Sequence, residues 1–188
     1  MSNETVELEE ALTMNHRKQD YTPMFLPRGV VLFNLMRAPD DGGSVQELFR
    51  VKDGDLWGPE GHYNFTVRQV NYSVVEPGAV KAWHLHKKQS DMWFVPPEDK
   101  LLVGLRDVRR ITGGVTRRFV LGDGKSQLLL IPPGVAHGCA NPYSQRAAII
   151  YAVDQFFDRE DTDESRLPAN ALGDKFWEVE QGGLIAGR

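Results

Sequence analysis

The stretch Gly78-Ala-Val-Lys-Ala-Trp-His84-Leu-His86 begins with a turn residue and continues as a run typical of a β-strand. Residues i and i+2 of a strand face the same side, so His84 and His86 are expected to point together. A second stretch, Pro132-Pro-Gly-Val-Ala-His137, places another histidine directly after a tight-turn signal. Imidazoles that share one face are costly to bury unless they are paired or ligated. These histidines therefore predict a polar pocket or a metal site.

Outward from these stretches, short apolar runs alternate with turn-forming residues along most of the chain. The 18 glycines and 11 prolines of the 188 residues separate these runs. Many short strands at such a spacing are typical of a β-sandwich or barrel. The predicted strands are 30–36, 45–51, 63–75, 80–86, 92–95, 101–108, 117–121, 127–131 and 147–153.

The order of these runs predicts one all-β barrel domain with extensions at both ends. Residues 1–28 are predicted to be an N-terminal arm and residues 29–155 the barrel. Residues 156–188 are predicted to form an irregular C-terminal segment that covers the barrel.

Composition and charge exclude several classes of protein. With 41% hydrophobic residues, the chain has enough apolar side chains for a folded core. A formal charge of -4 argues against a nucleic-acid binder. Cys139 is the single cysteine, which excludes an intrachain disulfide and any zinc site built mainly on cysteine. No apolar run approaches the roughly 20 residues of a membrane span, and the acidic N-terminus lacks the features of a secretory signal. We expect a cytoplasmic protein.

The two histidine stretches resemble the two halves of the cupin motif. The halves read Gly-x5-His-x-His-x4-acid, which ends here at Asp91, and Pro-x-Gly-x2-His-x3-Asn, which ends at Asn141. The resemblance implies a cupin jelly-roll barrel with the two halves on facing strands. It also implies a possible site for Fe, Mn, Ni or Zn. The ligands of that site would be His84, His86, Asp91 and His137, with Gln89 as the substitute for Asp91.

Between about residues 29 and 177 the chain is similar to dTDP-4-dehydrorhamnose 3,5-epimerases. The stretches Ile131-Pro-Pro-Gly-Val-Ala-His-Gly138 and Tyr151-Ala-Val-Asp-Gln-Phe-Phe157 carry much of this similarity. It implies a nucleotide-linked 4-keto-6-deoxy sugar as substrate, proton abstraction next to a carbonyl, no required cofactor and a homodimer. By position, His84 matches the catalytic base and Tyr151 matches the acid. Residues expected to bind substrate are Lys81, Trp83, Phe157 and Arg68.

The chain departs from the pattern of this family at several of its functional positions. Ala169 stands in the place of the aspartate that orients the catalytic histidine, and Asp91 stands where a lysine lies near the enolate. Gly42 and Lys81 stand in the places of two arginines. The change from lysine to aspartate reverses a charge beside the enolate, and a bound metal ion would restore a cation there.

Two alternatives to the epimerase therefore stay open. One is a metal-dependent cupin enzyme, an isomerase, lyase or dioxygenase, that acts on another small molecule. The other is a sugar-binding cupin without catalytic activity.

Overall fold

A computed structural model of the chain describes Glu7, Glu9, Glu10 and residues 22–58 and 61–179. Most of the predicted arm, and residues 180–188 of the predicted covering segment, lie outside the described residues. Residues Leu26–Val179 form one compact unit. Every regular element described within it is a strand, which confirms the all-β prediction. No described helix has the length and apolar character needed to cross a membrane.

The strands follow one another along the chain with short connections. They are β1 (Val31–Asn34), β2 (Arg37–Asp40), β3 (Gly43–Gln46), β4 (Arg50–Lys52), β5 (Asp55–Gly58), β6 (Gly61–Thr66), β7 (Gln69–Val75), β8 (Val80–His86), β9 (Asp91–Phe94), β10 (Lys100–Asp107), β11 (Thr116–Gly122), β12 (Gln127–Ile131), β13 (Val135–Ala140), β14 (Ala147–Val153) and β15 (Glu164–Arg166).

Two five-stranded antiparallel sheets build the barrel. Sheet I has the order β1-β12-β9-β14-β7, and sheet II has the order β11-β10-β13-β8-β15. A hairpin of β2 and β3 and a small sheet of β4, β5 and β6 accompany them. Apart from the consecutive β10 and β11, neighbours in both sheets are far apart in sequence, as expected for a jelly roll.

The main core lies between the inner faces of the two sheets. Strand β10 shows the alternation that builds it, because Leu101, Val103 and Leu105 are fully buried in this core. The intervening Leu102 belongs to a different cluster, on the outer face of sheet II. Successive side chains of a strand point to opposite faces, so β10 is apolar on both faces because both are covered.

The outer face of each sheet is covered by another part of the chain. Leu56 and Phe65 of the small sheet pack with Met92 of sheet I. On sheet II, Trp177 and neighbouring apolar residues of the C-terminal segment pack against Trp83. Burial on both faces of the sheets leaves the open end of the barrel as the place for polar side chains.

A β-bulge sets the direction of the side chains of β8. His84 lies opposite His137 of β13, but Lys81 lies opposite Cys139, so β8 has one additional residue between these pairs. A Cβ atom on Gly138 would lie 2.4 Å from the Cβ of Ala82, so this crossing requires glycine. Because of the additional residue, Lys81 and His84 face the same pocket although they are three positions apart.

A buried ion pair holds the turn that precedes β13. The side chain of Asp107 is fully buried and accepts hydrogen bonds from Nε (2.9 Å) and Nη2 (2.7 Å) of Arg109. Arg109 also donates to the carbonyl of Arg28 and packs against Gly134 of the turn before His137. The Arg109 hydrogen bonds lower the pKa of Asp107 to about 2.

We expect Asp107→Asn to lower the free energy of unfolding at pH 7 by about 1–3 kcal/mol, because it leaves a charged donor without its carboxylate. Since the pKa of Asp107 is lower in the folded protein, its contribution is present above the unfolded pKa near 4 and is lost as the pH falls towards about 2. The difference between the variant and the wild type should shrink over that range in urea unfolding.

The matched control for this prediction is Glu98→Gln, which removes an exposed ion pair with Arg37 and should change stability by less than about 1 kcal/mol. Equal urea midpoints for Asp107→Asn and the wild type at pH 7 would contradict the prediction.

Candidate active site

A pocket of about 650 Å³ opens between the two sheets at one end of the barrel. Sheet II contributes its wall from β8, β13 and β15, and sheet I contributes the opposite wall from β7, β9 and β14. Most residues singled out from the sequence meet in this pocket. They are Lys81, His84, His86, Gln89, Asp91, His137, Tyr151 and Phe157.

Two residues expected to bind substrate lie elsewhere. Trp83 is fully buried on the outer face of sheet II, where its indole N–H donates to the carbonyl of Ala169 and its ring packs against Trp177. In β8 His84 faces the pocket, whereas Ala82 and Trp83, at the bulge, both pack on the outer face of sheet II. Arg68 is exposed in the turn between β6 and β7, outside the pocket lining.

His84 is held by an acidic residue that the sequence analysis did not single out. Its Nδ1 lies 3.1 Å from Oε1 of Glu164, on strand β15, which pairs with β8. This contact makes Nδ1 the donor and leaves the Nε2 lone pair free. Burial lowers the pKa of His84 to about 4, and the charges of His137 and Arg166 act in the same direction. The imidazole is therefore neutral at pH 7 and able to accept a proton.

Glu164 also forms an ion pair with Arg166, which lies opposite His84 in the register of β15 and β8. The carboxylate thus connects the imidazole to a guanidinium that lines the same pocket. Glu164 provides the hydrogen-bond acceptor for Nδ1 of His84. Ala169 cannot provide it, because its methyl side chain accepts no hydrogen bond.

Tyr151 lies on the opposite wall, in β14 of sheet I, where its register partner in β9 is Trp93. Burial raises the pKa of Tyr151, and the carboxylates of Asp91 and Glu164 raise it further. Its hydroxyl is therefore protonated at pH 7 and available as a proton donor to the pocket.

The cluster of His86, Asp91 and His137 occupies the buried part of the pocket. Nε2 of His137 lies 3.4 Å from Oδ2 of Asp91, which also accepts a hydrogen bond from the indole N–H of Trp93 at 3.0 Å. The amide of Gln89 donates to Oδ1 of Asp91 at 2.9 Å. The carboxylate of Asp91 thus points into the pocket.

Burial opposes ionisation of Asp91, yet its pKa is lowered to about 2. The hydrogen bond and the charge of His137 cause most of this lowering, and the charge of His86 adds to it. The cluster therefore holds a buried carboxylate anion beside two imidazoles.

Residues 158–164 are rich in aspartate and glutamate, and the last two of them, Asp163 and Glu164, support the site. Asp163 accepts hydrogen bonds from the backbone N–H groups of Lys87, Lys88 and Gln89, which follow β8. Glu164 contacts His84 as described above. No local sequence pattern predicts that Asp163 and Glu164 support the site. Their contacts depend on the pairing of β15 with β8, about 80 residues earlier in the chain.

The mouth of the pocket carries both aromatic and cationic groups. Phe156 and Phe157 are about 70% exposed there, and the backbone N–H of Phe157 donates to the side chain of Gln69. Nζ of Lys81 donates to the hydroxyl of Ser73 across the pocket. Such a mouth can contact both a flat ring and an anionic group of a ligand.

Comparison with known proteins agrees with this architecture. The family model described as dTDP-4-dehydrorhamnose 3,5-epimerase matches residues 27–180. The spore coat polysaccharide biosynthesis protein SpsL of Bacillus subtilis is 36% identical over 142 residues, which cover 74% of this chain and 88% of SpsL. Agl13 of Haloferax volcanii, named a probable low-salt glycan biosynthesis epimerase, is 32% identical over 131 residues, which cover 69% and 80% of the two chains.

A solved structure supports the same assignment. The crystal structure of a dTDP sugar isomerase from Desulfovibrio desulfuricans superposes with a TM-score of 0.66 at 27% identity, and covers 79% of this chain and 90% of its own. This similarity confirms the predicted jelly-roll barrel. Together with the extent of the family match, it shows that the chain belongs to the dTDP-4-dehydrorhamnose 3,5-epimerase family.

Proposed function

We propose that this protein is an epimerase or isomerase that acts on a 4-keto-6-deoxy sugar joined to a nucleoside diphosphate. The observation that carries this proposal is the placement of His84 and Tyr151 on opposite sheets of one pocket. Inversion at a carbon requires that a proton leaves from one face and returns to the other. A neutral imidazole on one wall and a protonated phenol on the other are suited to these two steps.

The reaction begins with His84 as the base. Nε2 of His84 takes the proton from the carbon next to the ketone. The electron pair of that C–H bond forms a C=C bond, and the π pair of the carbonyl moves to its oxygen, which gives an enolate. Glu164 accepts the hydrogen bond from Nδ1 and stabilises the imidazolium that forms. Glu164 would thus supply what Ala169 lacks.

Tyr151 completes the reaction as the acid. Its hydroxyl gives a proton to the same carbon from the opposite face while the C=O bond forms again, so the configuration is inverted. The imidazolium of His84 then releases its proton to solvent, and the phenolate of Tyr151 takes one up. These transfers consume no redox equivalent, and their chemistry requires no cofactor.

The mouth of the pocket supports a nucleotide-linked ligand. Lys81 and Arg166 offer positive charge for the phosphates, and Phe157 offers an exposed ring for the base or sugar. The relatives named above take part in polysaccharide and glycan biosynthesis by their names, and we place this protein in the same kind of process.

We also propose that the protein is a cytoplasmic homodimer built around a jelly-roll barrel with the terminal extensions expected from the sequence. Among the described residues, β7 at the edge of sheet I pairs with β14 only, and its Val70 and Tyr72 are exposed. A sheet edge with exposed apolar residues favours pairing with a second copy. The buried free thiol of Cys139, whose pKa burial raises to about 12, is compatible with a reducing compartment.

A metal-dependent reaction in the same barrel is the second candidate function. The buried cluster of His86, Asp91 and His137 favours it, because these are the side chains that commonly bind transition metals. Elemental analysis of the purified protein tests for a bound metal, and solvent exchange of substrate protons tests for epimerisation. The two candidate functions are therefore tested separately.

We predict that His84→Asn lowers the exchange of substrate C3 and C5 protons in deuterated water by about 10²–10⁴-fold, because the base is lost. Glu164→Gln should lower the rate by about 10-fold or more with little change in KM, because it affects the orientation and charge of His84 rather than binding. NMR of a dTDP-linked 4-keto-6-deoxy sugar measures both rates.

Glu160→Gln is the matched control for Glu164→Gln, since Glu160 is exposed in the same acidic run and does not line the pocket. Its rate should equal that of the wild type. Unchanged exchange in His84→Asn, or no exchange in the wild type, is the outcome that contradicts the proposal.

We predict that Tyr151→Phe lowers the yield of inverted product by about 10²-fold or more while deuterium still enters the substrate. Without the phenol, the proton is returned by His84 to the face from which it came. Tyr143→Phe, outside the pocket, is the control and should leave both quantities unchanged. Equal loss of deuterium entry and inversion in Tyr151→Phe would show that Tyr151 is not the acid.

A further inference from the structure

The enolate oxygen of the proposed reaction carries a negative charge, and the proton transfers of His84 and Tyr151 leave that charge without a partner. Enzymes usually stabilise such an oxygen with hydrogen-bond donors or cations that are in place before the reaction. The carboxylate of Asp91 is buried in the pocket and would repel the enolate. The reaction therefore needs a positively charged group elsewhere in the pocket.

The chemistry limits where this group can lie. The carbonyl carbon is next to the carbon that loses its proton, so the group that binds the carbonyl oxygen must lie beside the base. Among the described residues, the lysines and arginines that line the pocket are Lys81, Lys88 and Arg166. Lys88 pairs with Asp161. Lys81 precedes His84 by three residues in β8, roughly 8–10 Å at the rise of a strand, and it suits a more distant part of the ligand.

Arg166 lies directly opposite His84, because β15 pairs with β8 in an antiparallel register. Opposite residues of an antiparallel pair project from the same face of the sheet, with their Cβ atoms about 5 Å apart. On the other edge of β8, His137 lies opposite His84 as well. The three side chains thus form one row across sheet II, and Arg166 gives this row a charge that is present at any physiological pH.

An ion pair with Glu164 restrains the side chain of Arg166 at the pocket. Nε of Arg166 donates to Oε1 of Glu164, the same oxygen that contacts Nδ1 of His84. The side chain of Arg166 is 58% exposed, so without this ion pair nothing would keep it from turning into solvent. In the part of the chain that the structure describes, Nη1 and Nη2 of Arg166 have no hydrogen-bond partner, and both can donate to a ligand.

The charge of Arg166 acts on both walls of the pocket. Burial is the main cause of the pKa shifts of His84 and Tyr151, and the charge of Arg166 lowers the pKa of both residues. A cation that acts on the base and on the acid lies near the space between them. The sugar ring of the proposed substrate occupies that same space.

We propose that Arg166 is a further catalytic residue, whose Nη groups donate hydrogen bonds to the carbonyl oxygen of the substrate and stabilise the enolate. This role rests on the proposed function. Arg166 transfers no proton, so the balance of the reaction is unchanged. In the enolate state, the negative charges of Glu164 and the enolate lie between the positive charges of His84 and Arg166, an alternation that stabilises all four. Strand β15 thus carries both the partner of the base and the cation at the enolate.

The test measures solvent exchange of the C3 and C5 protons of a dTDP-linked 4-keto-6-deoxy sugar in Arg166→Ala. The kcat should fall by about 10²–10³-fold, because a donor to the enolate is lost, while KM and the Kd of dTDP change by less than about 3-fold. Added methylguanidinium should raise the rate of Arg166→Ala by about 10-fold or more, and Arg166→Lys should keep part of the activity. Arg159→Ala is the matched control, because Arg159 is exposed in the same stretch of chain and does not line the pocket.

A double variant separates a direct contact with the substrate from an effect through Glu164. If Arg166 only positioned Glu164, Arg166→Ala would add nothing to the loss of rate in Glu164→Gln. A direct contact predicts that the double variant is slower than Glu164→Gln by about 10-fold or more. Because the side chain of Arg166 is exposed, these variants should fold as the wild type does.

The results that overturn this role differ from the result that overturns the proposed function. With an active wild type, an unchanged kcat in Arg166→Ala overturns the role, and so does a double variant as fast as Glu164→Gln. A large rise in the Kd of dTDP without a fall in kcat also overturns it, because Arg166 would then contact the phosphates. Absence of exchange in the wild type contradicts the epimerase itself, and the role of Arg166 fails with it.

Discussion

The pairing of β8 with a strand on each of its edges is the constraint on which the rest of the site depends. On one side β13 brings His137 opposite His84, and on the other β15 brings Arg166 opposite the same residue. The bulge of β8, opposite Gly138 of β13, then decides which side chains of β8 face inward. A functional histidine in this position is held by its neighbours in the sheet, so its direction does not depend on a flexible loop.

As a consequence of this pairing, the three histidines of the pocket form two sets with different surroundings. His84 is next to Glu164 at the edge of the pocket, whereas His86 and His137 lie deeper beside Asp91. The side chains of the deeper set are almost fully buried. The carboxylate of Asp91 remains charged because hydrogen bonds and imidazoles surround it. The outer set is poised for proton transfer, since burial keeps His84 neutral while Glu164 stabilises the charged form after reaction.

Much of the barrel could be predicted from the sequence, because its strands are short, apolar and bounded by turn residues. The predicted bounds of β8, β12 and β14 agree with the structure. The predicted strand 63–75 is broken at 67–68, where Val67 and Arg68 donate to the carbonyls of Gly54 and Val153. Strand β13 is not among the predicted strands, because its sequence, Val-Ala-His-Gly-Cys-Ala, mixes small residues with a histidine and a glycine and has no run of large apolar side chains.

The parts of the site that the sequence did not reveal depend on contacts between distant segments. In the sequence, Asp163 and Glu164 belong to an acidic stretch without a motif, and only the pairing of β15 with β8 brings them to the site. Trp83 looked like part of a pocket wall, but the C-terminal segment covers the other face of its sheet and buries it there with Trp177. Strand alternation gives two faces, and only the tertiary structure decides which of them meets the ligand.

The central claim is that a sugar ring lies between His84 on one sheet and Tyr151 on the other. A crystal structure of the protein with a bound dTDP-linked 6-deoxy sugar tests this most directly. The account predicts that Nε2 of His84 and the hydroxyl of Tyr151 approach opposite faces of the ring, with the phosphates near Lys81 or Arg166. A ring that has both groups on one face, or a nucleotide sugar bound outside this pocket, would contradict it.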